Sequence, residues 1–173
     1  MSSSRYKDFS AVLTKAGVPT SGVLQVETAV VVGTITLAGN AKFTVTAAGM
    51  TGSPKDISVA VALNDTAAQV AAKARTALAA DDDVTALFSV GGTGANVALT
   101  RLESKANDAT LNIAYDNDTC TGLTPDATST HSTAGVKGDY KGVIAGNIIV
   151  DTTNHDLYEN TGDATRPVWT VIQ

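Results

Sequence analysis

Few side chains in this chain can attack a substrate, relay a proton or hold an ion. Cys120 is the only thiol, and His131 and His155 are the only imidazoles. A cysteine nucleophile works as the thiolate and needs a base beside it. Cys120 lies in Asp-Thr-Cys-Thr-Gly, while both histidines stand in polar, turn-rich stretches. This pattern fits a half-buried, inert cysteine. His155 precedes Asp156, an arrangement that can orient a general base, but no Ser or Cys is spaced to meet it. Both therefore read as solvated turn residues.

Carboxylates are more plentiful. Asp81-Asp82-Asp83 places three in a row, but adjacent side chains do not converge on one ion, and Ca2+ takes about six oxygens or more. The run reads instead as a cap for a brief turn toward Val84 to Phe88. Asp116-Asn117-Asp118-Thr119-Cys120-Thr121 begins like a calcium loop and then departs from it. Its fifth residue is Cys, its sixth is not Gly, and its twelfth, Ala127, stands where the bidentate Glu belongs. Gly91-Gly92-Thr93-Gly94 lacks the Gly-Lys-Ser/Thr ending of a phosphate-binding loop and lies between two strand-like runs, so it predicts a hairpin turn. No catalytic residue, cofactor or metal is expected, and the chain reads as a non-enzyme.

Composition narrows the elements that could position any site. Of 173 residues, 43% are hydrophobic, only 5% aromatic and 17% charged. Much of the remainder is Gly, Thr, Ser and Asn, which favours turn-rich β-structure over a helical bundle. The net charge is -5, and the 12 Lys and Arg form no run, so the electrostatic footprint of a nucleic-acid binder is missing. No apolar stretch approaches the roughly 20 residues that cross a bilayer. Residues 1–8 lack the apolar core of a signal peptide, which predicts synthesis and assembly in cytoplasm without a membrane partner.

Along the chain, residues 4–16 place Tyr6, Phe9, Val12 and Leu13 at helical spacing before a Gly17 and Pro19 stop. The predicted short amphipathic helix either docks in another protein's groove through those four side chains or lies against its own domain. Val30-Val31-Val32 reads as a buried strand. Thr34 to Leu37 and Phe43 to Ala47 read as a hairpin turning at Gly39-Asn40. Ile57, Val59, Val61 and Leu63 alternate cleanly. Thr66-x-x-Gln69 matches a capping box for a helix running to about Ala80, with Val70, Ala74, Ala77 and Leu78 on one face. Strands follow at residues 88–90, 97–102 and 111–115, and Thr119 to Lys137 reads as a loop or linker. The predicted fold is α+β and β-dominated, an antiparallel sheet or sandwich with one packed helix. Its predicted organisation is an arm at 1–22, a β-rich domain at 23–135 and a C-terminal β-meander at 136–173.

That meander holds Ile148 to Val150, then Leu157-Tyr158, then Val168 to Ile172, separated by turn clusters. A three-stranded sheet of this size buries little by itself. Tyr140, Tyr158 and Trp169 serve either its own small core or a contact between subunits, with glycan stacking on an exposed Trp169 a third use. On the subunit reading, Ile148, Val150, Tyr158, Trp169 and Ile172 form the interface.

From Gly146 the pattern Gly-x-Ile-Ile-Val-Asp-Thr-Thr-Asn-x-x-Leu-Tyr-x-Asn-Thr-Gly, followed by Trp-Thr-Val, resembles short modules of tailed-bacteriophage virion proteins: tail fibres, head fibres and capsid decoration proteins. Glu27 to Gly135 also resembles a domain recurring in such proteins, most clearly at Lys55 to Leu63, Thr66 to Ala80 and Asn107 to Ala114. The resemblance implies a virion component, a capsid decoration or head-fibre protein bound to the major capsid protein and projecting as a homotrimer. A tail fibre, tail tube or tail tip component is the alternative, and a small carbohydrate-binding module a more distant one.

Overall fold

The structure is a computed structural model and describes residues 13–173. Tyr6, Phe9 and Val12, with most of the expected N-terminal helix, lie outside the described residues. In chain order the elements are β1 (Leu13–Lys15), β2 (Val26–Val30), β3 (Gly33–Leu37), β4 (Gly39–Thr46), β5 (Lys55–Val61), α1 (Ala67–Ala79), α2 (Asp82–Thr85), β6 (Phe88–Gly91), β7 (Asn96–Arg101), β8 (Asn112–Asp116), β9 (Thr121–Leu123), β10 (Thr130–Thr133), β11 (Ile148–Asp151), β12 (Leu157–Asn160) and β13 (Trp169–Val171). The fold is β-dominated α+β, as the composition required. The chain divides into two compact units: Leu24–Val136, and a smaller one made of the chain up to Val23 together with Lys137–Gln173.

The larger unit holds an antiparallel sheet ordered β10-β2-β7-β6, a second ordered β5-β4-β8, and the pair β3-β9. Period-two burial is cleanest in β5, where Ile57, Val59 and Val61 point inward and their neighbours outward. α1 lies against β5, β6 and β7, burying Val70, Ala71, Ala74 and Leu78. Its start is the capping box read from sequence: Thr66 Oγ1 accepts from Gln69 N, and the Gln69 side chain accepts from Thr66 N at 2.8 Å. Asp81 caps α2, accepting from the amides of Asp83 and Val84 at 3.1 Å. The core between these elements includes Phe43, Phe88, Leu99 and Ile113, with Phe43 stacked on Tyr115 at 5.6 Å between centroids.

Four expectations are corrected in this unit. In Val30-Val31-Val32 only Val31 is buried, because the sheet has a solvent side there; Val30 and Val32 are half exposed. Gly39-Asn40 is no turn. Gly39 opens β4, where a Cβ would meet the Thr119 carbonyl oxygen at 2.6 Å, so this glycine permits a close backbone approach. Consequently β3 pairs with β9, and β4 with β5 and β8. Leu63 lies beyond the end of β5 and is exposed. The supposed linker from Thr119 contains β9 and β10, strands rich in Thr and Ser that carry no apolar alternation to betray them.

In the smaller unit β11, β12 and β13 form the expected antiparallel meander. A fourth strand was not foreseen: β1 pairs parallel to β11, with Leu13 opposite Ile149. Leu13 is therefore extended, not helical, because pairing with β11 satisfies its backbone where an isolated short helix would be marginal. The register sets Leu13, Ile149, Tyr158 and Val171 in one rung across all four strands.

Candidate functional site

The buried titratable groups show first what chemistry the fold arranges. Glu27, on β2, is 1% exposed and faces the core side of its sheet. One carboxylate oxygen receives the Ser129 hydroxyl and the other lies against His131 Nδ1. Ser129 Oγ also accepts from the Ile113 amide at 2.8 Å. The hydroxyl thus faces the carboxylate and not the imidazole, so the Ser-Glu-His set lacks the nucleophile-to-base contact of acyl transfer. What it does is fasten the exposed strand β10 to β2. Sequence reading placed His131 in a turn and missed this set, whose one signal was a Glu inside the strand Val26-Glu27-Thr28-Ala29.

A second cluster is fully structural. Arg101 Nη2 donates to Asp108 at 2.9 Å and to the Ala48 carbonyl at 3.2 Å, with the guanidinium 5.2 Å from the Phe88 ring centroid. Asp108 also accepts from the amides of Ala48 and Thr110 and from the Thr110 hydroxyl. Burial pushes the Asp108 carboxyl up, but those donors outweigh it and hold it below the usual range. Lys55 bridges Asp81 and Asp83, so two carboxylates of the triple-Asp run share one lysine. Among the described residues no three His, Cys, Asp or Glu side chains converge as a metal would need. Cys120 is buried, not half-buried; its thiol donates to Asn117 O at 2.9 Å, and burial pushes its pKa up. No described helix is long and apolar enough to cross a membrane.

The small unit carries the surface features. Tyr158 and Trp169, expected at a subunit interface, are 8% and 7% exposed and join Ile149 in that unit's own core. Trp169 meets Tyr140 edge to face at 6.4 Å and donates its indole N–H to Asp139 O at 3.3 Å. The same burial removes the ring from glycan stacking. Leu13 is partly buried against this core, and Ile148 and Val150 are half-buried with Ile149 between them fully covered. Ile172 alone of the expected interface set is exposed, and Val171 and Ile144, which sequence reading did not single out, are exposed with it.

Main-chain geometry sharpens this surface. β13 ends the sheet order. Ile172 N donates to Leu157 O at 2.8 Å, so alternation turns the Val171 N–H and C=O to the side of β13 that no described strand pairs with. At Trp169 that side is already covered, since its N–H donates to Ser21 Oγ at 2.9 Å. The apolar rung that starts at Leu13 thus ends at a 54% exposed Val171 on an open strand edge. No family model, curated protein or solved structure matches the chain.

Proposed function

We propose that the chain is a non-enzymatic structural protein of a tailed-phage virion, a capsid decoration or head-fibre protein. It binds the major capsid protein through the segment that precedes β1 and contacts other virion subunits through its small unit. One observation carries the reading: the stretch that resembles virion modules folds into a sheet whose last strand has an edge, at exposed Val171, that no described strand pairs with, next to exposed Ile172. Natural sheets usually blunt such edges with charge, proline or a covering element, so an apolar open edge marks a contact surface. The polar clusters support the same view, because each is engaged in holding strands together.

Binding of purified full-length protein to empty phage capsids tests the attachment. A variant lacking residues 1–12 leaves β1 whole and is the matched comparison, whereas removing residues 1–20 would take β1 with it. Saturable binding by the full chain and its loss in the shortened one is the expected result. Equal binding by both would remove the N-terminal anchor, and binding by neither would remove the capsid assignment. Electron microscopy of particles labelled on this protein separates the capsid from the tail alternative.

A further inference from the structure

The geometry points to a specific contact at the open edge: β13 of one copy pairs antiparallel with β13 of a second, centred on Val171. This inference rests on the proposed contact of the small unit with other virion subunits, and it names that partner as a second copy of this chain. The sheet has two edges, β1 and β13. Lys15 O accepts from Thr152 N on the β11 side, so Thr14 O faces outward, and it already accepts the Tyr140 hydroxyl. A closed ring of three needs two different complementary edges per subunit. Here β1 has its outward carbonyl taken, and the Trp169 end of β13 is covered by Ser21. Ile172 N and Gln173 O are both bonded to Leu157, so what remains among the described residues is the outward N–H and C=O of Val171, and a lone free edge meets its own kind about a two-fold axis.

The sequence of that edge suits self-pairing. An antiparallel self-pair sets each residue against its own neighbours in the other copy, so any charge would face its own sign. Residues 167–173, Pro-Val-Trp-Thr-Val-Ile-Gln, carry no charged side chain. Val171 opposite Val171 makes a reciprocal hydrogen-bonded pair and extends the rung Leu13, Ile149, Tyr158, Val171 into a second copy of itself. The contact is two-fold, in place of the three-fold arrangement that the resemblance implies.

Val171→Cys in the full-length chain tests the pairing, with buried Cys120 left in place. A reciprocal antiparallel pair holds its Cα atoms about 5.5 Å apart, within disulfide reach. The expected result is a disulfide-linked dimer forming roughly tenfold faster than from Leu63→Cys, an equally exposed position on the larger unit. Val171→Pro is the second variant, since it removes only the outward donor and leaves the bonds to β12. Light scattering should then show a dimer lost in Val171→Pro with Trp169 fluorescence unchanged. Cross-linking no faster than the control, or a trimer indifferent to Val171→Pro, would overturn the pairing. Capsid binding is read separately, so either failure leaves the virion assignment to its own assay.

Discussion

The Gly17 amide donates to Asp151 Oδ1 at 2.8 Å, joining residues 134 positions apart in the chain. The same carboxylate, 0% exposed, accepts from the amides of Thr153 and Asn154 and from Asn154 Nδ2. It therefore ties the stretch after β1 to the turn between β11 and β12, and the smaller unit depends on it. Trp169 is the only tryptophan, so its fluorescence reports on that unit alone. Asp151→Ala takes the buried acceptor from several donors, whereas Asn154→Ala removes one donor. The fluorescence melting midpoint is expected to fall further for Asp151→Ala, and equal midpoints would show that the carboxylate is not the tie.

In the larger unit the corresponding bolt is Asp108 with Arg101. Removing the carboxylate leaves a buried guanidinium whose Nε already lacks a hydrogen-bond partner. Asp108→Ala is expected to destabilise this unit by about 3–5 kcal/mol. Adding Arg101→Leu should recover part of that loss, because the unpaired charge goes with it. Chemical denaturation followed by circular dichroism measures both, and a double variant no better than Asp108→Ala would count against the account.

Acid sensitivity follows from the carboxylates held below their usual range. At Asp65 the Lys73 ammonium is the main cause, with the Ala62 amide added. At Asp108 and Asp139 burial opposes the shift, and donors from Thr110, Ala48 and Arg101, or from Lys15 and Thr20, prevail. A folded-state pKa below the unfolded value contributes stability above about pH 3.9 that is lost as pH falls through the folded values. The stability that these carboxylates contribute should be constant near neutrality and drop below about pH 4. Asp108→Asn should have a shallower acid limb, and an unchanged limb in a pH series of denaturation curves would contradict this.

Cys120 should resist thiol reagents. Its side chain is buried, donates to Asn117 O and is pushed toward the neutral thiol by burial. Little reaction with a disulfide reagent is expected in native buffer and full reaction in denaturant. Rapid native labelling would mean that the turn around Asn117 opens readily.

Trp169→Ala tests the ring's place in the core of the smaller unit. As a core residue its truncation should destabilise the smaller unit by about 3–5 kcal/mol, with Trp169→Phe milder. Hydrogen exchange at β11 and β12 is the readout. Unchanged protection in Trp169→Ala would return the ring to the surface.

Much of the fold could be read directly because its signals are local. The Thr66–Gln69 capping box, the Asp81 cap, the hairpin around Gly92 and the order of the meander are each set within a few residues. The failures are long-range or silent. β9 and β10 have no apolar alternation, so only their partners β3 and β2 reveal them. Glu27 and His131 stand 104 residues apart, and nothing near either foretells their meeting. The burial of Trp169 comes with Tyr140 and with Ser21, which stands 148 residues away in the chain. Among the apolar residues of this end, Val171 and Ile172 are exposed and the rings beside them are buried.

The smaller unit is assembled from two separated segments, so the larger one is an insertion in its sequence. During translation Leu13 leaves the ribosome long before Ile149 does, and distant pairings of this kind close last. The β13 edge accordingly forms only after synthesis has passed Val171, late in the order of pairing. Limited proteolysis of a released chain ending at Ala145 should find residues 24–136 resistant and Leu13–Lys15 cleavable; resistance at β1 in that chain would refute this order of events.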